Sequence, residues 1–509
     1  MRSTDIHSFM PVRLAAVMAL AALADFLFYD EVVGITFFLF ALALSGVVLA
    51  MHPGSISNRS ALFKVGVLLA GLLPLVENVS PLSLAIAIMA LAVFALSVAG
   101  RLRRGVARVA RQLVIFLLVM PFRFIHDLVR WTNSSKRAGR RVPRKGSAFV
   151  WLMPLALTAV FIWLFGMANP VIESWLAKID LLILLDLLEA TRLTLWVLVI
   201  VTAWAFLRPR LPRIRRRSLA ASVLGAPPAA EEKPATLAQT VFGRAAILRA
   251  LILFNGLFAV QTLLDAAYLW GGVALPDGLS YAAYAHRGAY PLVATALLAA
   301  GFVLAALRPG SATSDDPLIR RLVYLWVVQN IALVVSSILR LDLYIGVYSL
   351  TYWRIAAFVW MGLVAVGLAL IIARIAAARS NEWLLSANLL TLSATLYVCG
   401  FINFAGLIAG YNVGHSLEFT GQGTSLDTYY LRFLGPDAFP AIDRVLVRAE
   451  LKGTAAYEDL AAMRRVDGAR YVERQQEWRA WTFRDWRLLR YLETAPPIPA
   501  GAAVMPPLR

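Results

Sequence analysis

Cysteine is nearly absent from this chain. Cys399 stands alone, so no disulfide can close within the 509 residues. Histidine is scarce too: the five residues are scattered, with no Cys/His cluster at metal-ligand spacing, so neither metal nor cofactor is expected. Charged residues make up 16%, against roughly 25% in an ordinary soluble domain. No Walker loop, G-x-S-x-G elbow, H-E-x-x-H pair or C-x-x-C pair is present. Nor can a chain of mid-span carboxylates, such as a proton-coupled pump uses, be traced. The sequence therefore names no reaction.

Apolar side chains fill the chain instead, at 60% of residues and a mean hydropathy of +0.70. That much apolar surface exceeds what one aqueous core can hide and matches a bilayer. Runs long enough to cross, or nearly so, fall at about 11–29, 32–51, 61–76, 82–100, 148–168, 191–207, 245–267, 288–307, 319–339, 353–374 and 384–408. The expected fold is all-α: a polytopic membrane protein of about eleven spans with a small helical extramembrane domain at its C-terminus. Residues 113–125 are short and interrupted by Pro121, which predicts an interfacial or re-entrant segment. Residues 171–190 are apolar but carry Glu173, Asp180, Asp186 and Glu189, which predicts a helix lying on the membrane surface. Ala22-Leu23-Ala24 resembles a signal-peptidase site, yet the apolar run continues through Phe28 and favours an uncleaved first span.

The net charge of +19 is concentrated. Residues 101–147 carry thirteen Lys and Arg against the single acid Asp127, and 208–217 carry six Arg and no acid. Both clusters border apolar runs, so they read first as cytoplasmic orientation signals, with contact to anionic lipid as a consequence. Without a recognition module they do not indicate nucleic acid. This orientation puts the N-terminus inside and the loops near 30, 77–81, 169–190, 268–287 and 340–352 outside. Eleven crossings then leave the C-terminal domain extracytoplasmic.

Four regions follow. Residues 1–217 form a front half of about six spans, and 218–244, small, Pro-rich and polar, form a flexible cytoplasmic linker. Residues 245–408 form a back half of about five spans, and 409–509 a helical C-terminal domain. Its last part carries Trp478, Trp481, Trp486, Leu489 and Leu492, which suit either packing among tail helices or anchoring at the interface.

One constellation invites a binding role. Arg287, Arg340 and Arg354 fall at outer ends of back-half spans, against the usual bias of arginine towards the inside. Tyr281, Tyr284, Tyr344, Asp277 and Asp342 are close by in sequence. Guanidinium groups with tyrosine hydroxyls at headgroup depth suit phosphate or carboxylate. Equally, Asp265, Asp277 and Asp342 can pair with the arginines and lock the helix ends.

The back half also resembles a bacterial family of unknown function, domain 4173, related to 4153. The similarity lies in Pro276-Asp277-Gly278-Leu279-Ser280-Tyr281-Ala282-Ala283-Tyr284-Ala285-His286-Arg287-Gly288, in Arg340-Leu341-Asp342-Leu343-Tyr344, in Tyr348 to Arg354, and in Phe401-Ile402-Asn403, Tyr411-Asn412, Asp427, Tyr430-Leu431 and Asp437-Ala438. It covers residues 245–445. Ala283 and His286 stand where members of that family carry an acid and an arginine. The resemblance implies a polytopic protein of a bacterial cytoplasmic membrane and supplies no substrate. Three functions are compatible with these features. One is binding or transport of an anionic lipid or ligand at the Arg/Tyr rim. Another is transfer chemistry on a lipid-linked substrate. The last is scaffolding of a protein partner through residues 409–509.

Overall fold

The computed structural model describes residues 4–52, 59–137, 189–209, 244–267, 298, 301–302 and 316–495. Among them every regular element is a helix, and the β-type pairing is an isolated bridge between Ser416 and Thr424. Seven described helices are long and apolar enough to cross a membrane, or eight if a pair bent by 69° counts as one span. The chain is thus an all-α polytopic membrane protein. The expected spans 148–168 and most of 288–307, the surface helix before Glu189, and the linker up to residue 243 lie outside the described residues. Contacts divide the chain into two units: Met1–Arg104 with Arg108–Arg213 and Glu477–Arg484, and Gly105–Ala107 with Ile214–Gln476 and Asp485–Arg509.

In the first unit, α1 (Thr4–Phe28), α2 (Thr36–Ala50), α3 (Arg59–Glu77) and α4 (Pro81–Val98) run up and down. α3 and α4 are joined by a tight turn: Ser80 and Ser83 form a reciprocal capping box, and Pro81 occupies the first helical position. Gly71 on α3 faces Ala90 on α4 with no room for a Cβ, the small-residue contact that lets helices in lipid approach closely. α6 (Ala190–Leu207) packs antiparallel to α1. Trp204, Phe206, Leu207, Phe116, Leu72, Leu75 and Leu96 are fully buried between these helices. The two ends of the unit differ in charge. Asp25, Asp30, Glu31, Glu77 and Glu189 collect at one end, and Arg101, Arg103, Arg104, Arg108 and Arg208 at the other.

α5 (Val106–Arg137) is continuous for 32 residues, so Pro121 does not break it as the sequence predicts; the proline sits on an exposed face. Its Val106–Asp127 part is one of the seven helices long and apolar enough to cross a membrane, and its contacts lie at one end of the unit. Gln112 bonds the backbone of Arg101 and Arg103, Phe116 meets Phe206, Phe124 meets Trp204, and Asp127 pairs with Arg208 at 2.9 Å. From Phe116 to Asp127 the helix rises about 16 Å, whereas their partners from Trp204 to Arg208 cover only about 6 Å of α6. α5 therefore crosses the basic end of α6 steeply instead of running along it.

Residues 477–484 close the acidic end of the first unit. Arg479 reaches Glu31 at 3.3 Å and lies over the Phe26 ring, and Arg484 pairs with Glu77 at 3.2 Å where both are buried. Gly34 lies against the backbone of Arg479 and Ala480, where any Cβ would collide.

The second unit begins with α7 (Arg244–Asp265) and α8 (Pro317–Tyr348), which are parallel: Arg244 pairs with Asp316 at one end, and Arg340 with Asp265 towards the other. Asp316 caps α8 and Pro317 starts it. Asn255 donates to the Leu322 carbonyl and Gln329 to that of Asn255, so these polar residues bond across the helix pair, while Asn330 and Asn388 bond within their own helices. α9 (Tyr352–Ala376) and α10 (Asn381–Cys399) follow, with Arg374 and Arg379 at the end that also holds Arg320 and Arg321. Two expected boundaries change. α8 continues past residue 339 to Tyr348, reducing the expected loop 340–352 to Ser349–Thr351. The run 384–408 is broken: α10 stops at Cys399 and α11 (Phe404–Gly414) leaves at 69°, started by the Asn403 cap.

Beyond α11 the tail folds as helices α12 (Phe439–Leu446), α13 (Ala455–Arg474) and α14 (Phe483–Thr494). Around buried Asp443 converge Arg464, bidentate at 2.8 and 3.2 Å, and the Tyr491 hydroxyl at 3.0 Å. Tyr471 donates to the Asp485 carboxylate at 2.9 Å. Burial, then the charge of Asp443 and the hydrogen bond to it, push the Tyr491 hydroxyl from 10.0 up to about 12. Burial and Asp485 push Tyr471 up as well. Of the tail aromatics, Trp478 and Trp481 precede α14 rather than belonging to it, and with Trp486 they stay partly exposed.

Two tests follow from these contacts. Gly34→Val should overpack the contact with residues 479–480 by about 1–3 kcal/mol and speed tryptic cleavage at Arg479, with the membrane helices intact. Tail stability should hold below pH 10 and fall towards pH 12, because an unfolded tyrosine ionises near 10 while folded Tyr491 stays protonated. Thermal melts of wild type and Tyr491→Phe across this range check it, the variant losing less.

Candidate functional site

The α8–α9 turn gathers most of the described site residues. Ser349 has φ 66° and ψ 173°, a region that is nearly glycine-only and costs a serine about 1–3 kcal/mol. Such a conformation persists only where neighbours over-determine it. Here Asn412 of α11 accepts from the Leu350 N–H at 2.7 Å and donates to the Leu350 carbonyl at 3.0 Å. Thr424 donates to the Val347 carbonyl at 2.6 Å, and the Tyr352 N–H donates to the Tyr430 hydroxyl at 3.1 Å. The tail therefore supplies four hydrogen bonds to a six-residue stretch of the membrane unit.

Arg354 caps the end of α8. Its guanidinium donates to the carbonyls of Tyr348 and Ser349 and lies 4.7 Å over the Tyr344 ring, which in turn meets Tyr348 at 4.6 Å. A cation on the last carbonyls of a helix is favourable, and the aromatic face adds a cation–π contact. Arg354 is half-buried.

Arg340 has a different role. It lies inside α8, 3% exposed, paired with Asp265, which is fully buried and also accepts from Gln261 at 3.0 Å. This is the helix-locking alternative that the sequence leaves open, realised for one arginine. A buried pair of this kind is weak evidence for stability, but losing one partner strands a charge at about 3–5 kcal/mol. Arg287, Tyr281, Tyr284 and Asp277 lie outside the described residues.

Sequence reasoning did not find the cavity beside the turn. It measures about 250 Å³ and is almost wholly apolar, with Ile345, Leu350, Ile355, Phe358 and Leu407 among its walls. Asp342 and Tyr411 are its polar lining residues. Period alone could not reveal it, because its walls come from α8, the turn, α9 and α11, and α11 is hidden in what reads as one continuous span. At the same turn Trp353 is 87% exposed, a position suited to an aromatic ring at headgroup depth.

The acidic end of the first unit carries carboxylates but holds them in pairs. Asp25 receives Arg192 at 2.7 and 2.5 Å and Trp196 at 2.9 Å, and Arg192 lies over the Tyr29 ring. Glu31 pairs with Arg479 and Glu77 with Arg484. Among the described residues no group of three or more His, Cys, Asp and Glu could hold a metal ion.

The family model described as Domain of unknown function (DUF4153) matches residues 64–445, so the chain belongs to that family. The match begins within α3 and so reaches into the front half, whereas the sequence resemblance was expected only over 245–445. No curated protein and no solved structure matches the chain.

Two substitutions separate strain from support at the turn. Ser349→Gly should raise stability by about 1 kcal/mol, read as a higher Tm in detergent. Arg340→Ala should lower it by about 3–5 kcal/mol, and adding Asp265→Asn should recover much of that loss.

Proposed function

We propose that this member of the family is a lipid-binding protein of the cell envelope, with its site at the α8–α9 turn of the second unit. The observation that carries this reading is the apolar cavity at the α8–α9 turn, lined by Leu350 and Ile355, with Arg354 and exposed Trp353 between these two residues in sequence. An acyl or prenyl chain suits the walls formed by Ile345, Ile355, Phe358 and Leu407, and a phosphate suits the half-buried guanidinium. Asp342, on the cavity wall, suits a hydroxyl or amine of the head group. Buried Arg340 is assigned a helix-locking role and Arg354 the anion contact, with Tyr344 and Tyr348 framing it. Arg287, Tyr281, Tyr284 and Asp277 join the site on the strength of the sequence constellation alone.

The site belongs, in this reading, to the outer leaflet. Each unit separately supports that orientation: arginines gather at one end, and the tail residues bond at the other. The N-terminus is then cytoplasmic and the tail extracytoplasmic. A bacterial cytoplasmic membrane, and the narrower kinship with domain 4173, rest on the residue blocks 276–288, 340–344 and 348–354. The paired state of Asp25, Glu31 and Glu77 disfavours transfer chemistry in the first unit.

Gentle purification followed by mass spectrometry of retained lipids tests the proposal. Wild type should retain a lipid species enriched over the bulk membrane. Leu407→Trp, which fills the cavity, should lose it, and Arg354→Ala should weaken retention about tenfold, the scale of a charged hydrogen bond. Retention of bulk lipid only, unchanged in both variants, rejects the site.

A further inference from the structure

α5 divides into three faces along its described side chains. Leu113, Phe116, Leu117, Met120 and Phe124 pack inward, joined by Asp127 on Arg208. A second face carries Val114, Leu118, Phe122 and Ile125 at spacings of four, four and three, and each is more than half exposed, reaching 68% at Leu118. On the edge between these faces lie Arg108, Ile115, Val119, Arg123 and His126, while Arg111 falls on the exposed stripe, so the arginines sit at the two ends of an uncharged stretch from 112 to 122. A helix in water would not display four large apolar side chains on one stripe.

We propose that α5 lies in the plane of the membrane at the basic end of the first unit and binds anionic phospholipid headgroups there. Three observations carry this. The contacts of Gln112, Phe116, Phe124 and Asp127 all fall on the same end of α4 and α6, which fixes the helix across that end. The exposed apolar stripe then faces acyl chains, as in an interfacial amphipathic helix. Charge selects the headgroup: from residue 99 to 126 the chain holds six arginines and no acid, and the one acid that follows, Asp127, is taken by Arg208. An anionic lipid surface is the partner that complements both the stripe and the edge.

This site shares no residue with the cavity of the second unit, so either can fail without the other. The full-length protein, with Cys399→Ser as background, can carry single labels from Val114→Cys, Leu118→Cys, Phe122→Cys and Ile125→Cys in nanodiscs. Spin-label accessibility to oxygen and to a polar nickel chelate should give one shared shallow depth for all four. A crossing helix would instead spread them over about 16 Å, and that spread overturns the proposal. A fluorophore on Leu118→Cys then reports lipid choice. Brominated phosphatidylglycerol should quench it more strongly than brominated phosphatidylcholine. The preference should fall about fivefold for each of Arg108→Gln, Arg111→Gln and Arg123→Gln, and should fade as ionic strength rises. Equal quenching by both lipids, or by neither because a protein partner covers the face, overturns the assignment. The Arg→Gln set keeps the shallow depth if the fold is intact, which separates loss of binding from loss of structure.

Discussion

A charge inside a bilayer needs a partner within reach, and this constraint organises the molecule. Among the described residues, Asp25 meets Arg192, Asp127 meets Arg208, Glu77 meets Arg484 and Asp265 meets Arg340. Each pair joins elements far apart in the chain, by 167 residues for the first, 407 for the third and 75 for the fourth. Apolar packing alone cannot choose among helix neighbours in lipid, since lipid tails are as apolar as leucine. The ion pairs add the missing choice: a helix placed beside the wrong neighbour strands its charge.

The second organising feature is the tail's grip on the membrane unit. A turn with a serine in a nearly glycine-only conformation is tolerable because Asn412, Thr424, Tyr430 and Arg354 hold the chain on both sides of it. The cavity owes one wall to α11, and α11 is set by the Asn403 cap and by its packing on α12. Tail, turn and cavity therefore form one structural device, although they span more than sixty residues of sequence.

Much of the membrane architecture was legible in apolar runs. The runs at 82–100, 191–207 and 353–374 anticipate α4, α6 and α9 within a few residues, and 11–29 anticipates all of α1 but its first two turns, because apolar side chains dominate them. The end of α8 was not legible: Arg340 and Asp342 look like a loop in hydropathy, yet Arg340 is neutralised by an aspartate 75 residues earlier. The break after Cys399 was masked by apolar residues on both sides, although Gly400 and Asn403 carried the local signal for a stop and a new cap. For α5 the composition was right and the inference from Pro121 too strong, since an exposed face accommodates the ring. Of the candidate site, sequence picked out the Arg354 and Tyr344 corner, while the pairing of Arg340 and the cavity depended on distant partners.

The parallel pairing of α7 and α8 also sets a timetable for biogenesis. Asp265 leaves the ribosome before Arg340 exists, and at about 5–20 residues per second the gap is about 4–15 s. Glu77 waits longer still, for an arginine 407 residues later. Residues 477–484 thus complete the first helices, and a nascent chain stalled before them would hold those helices with an unfinished seam.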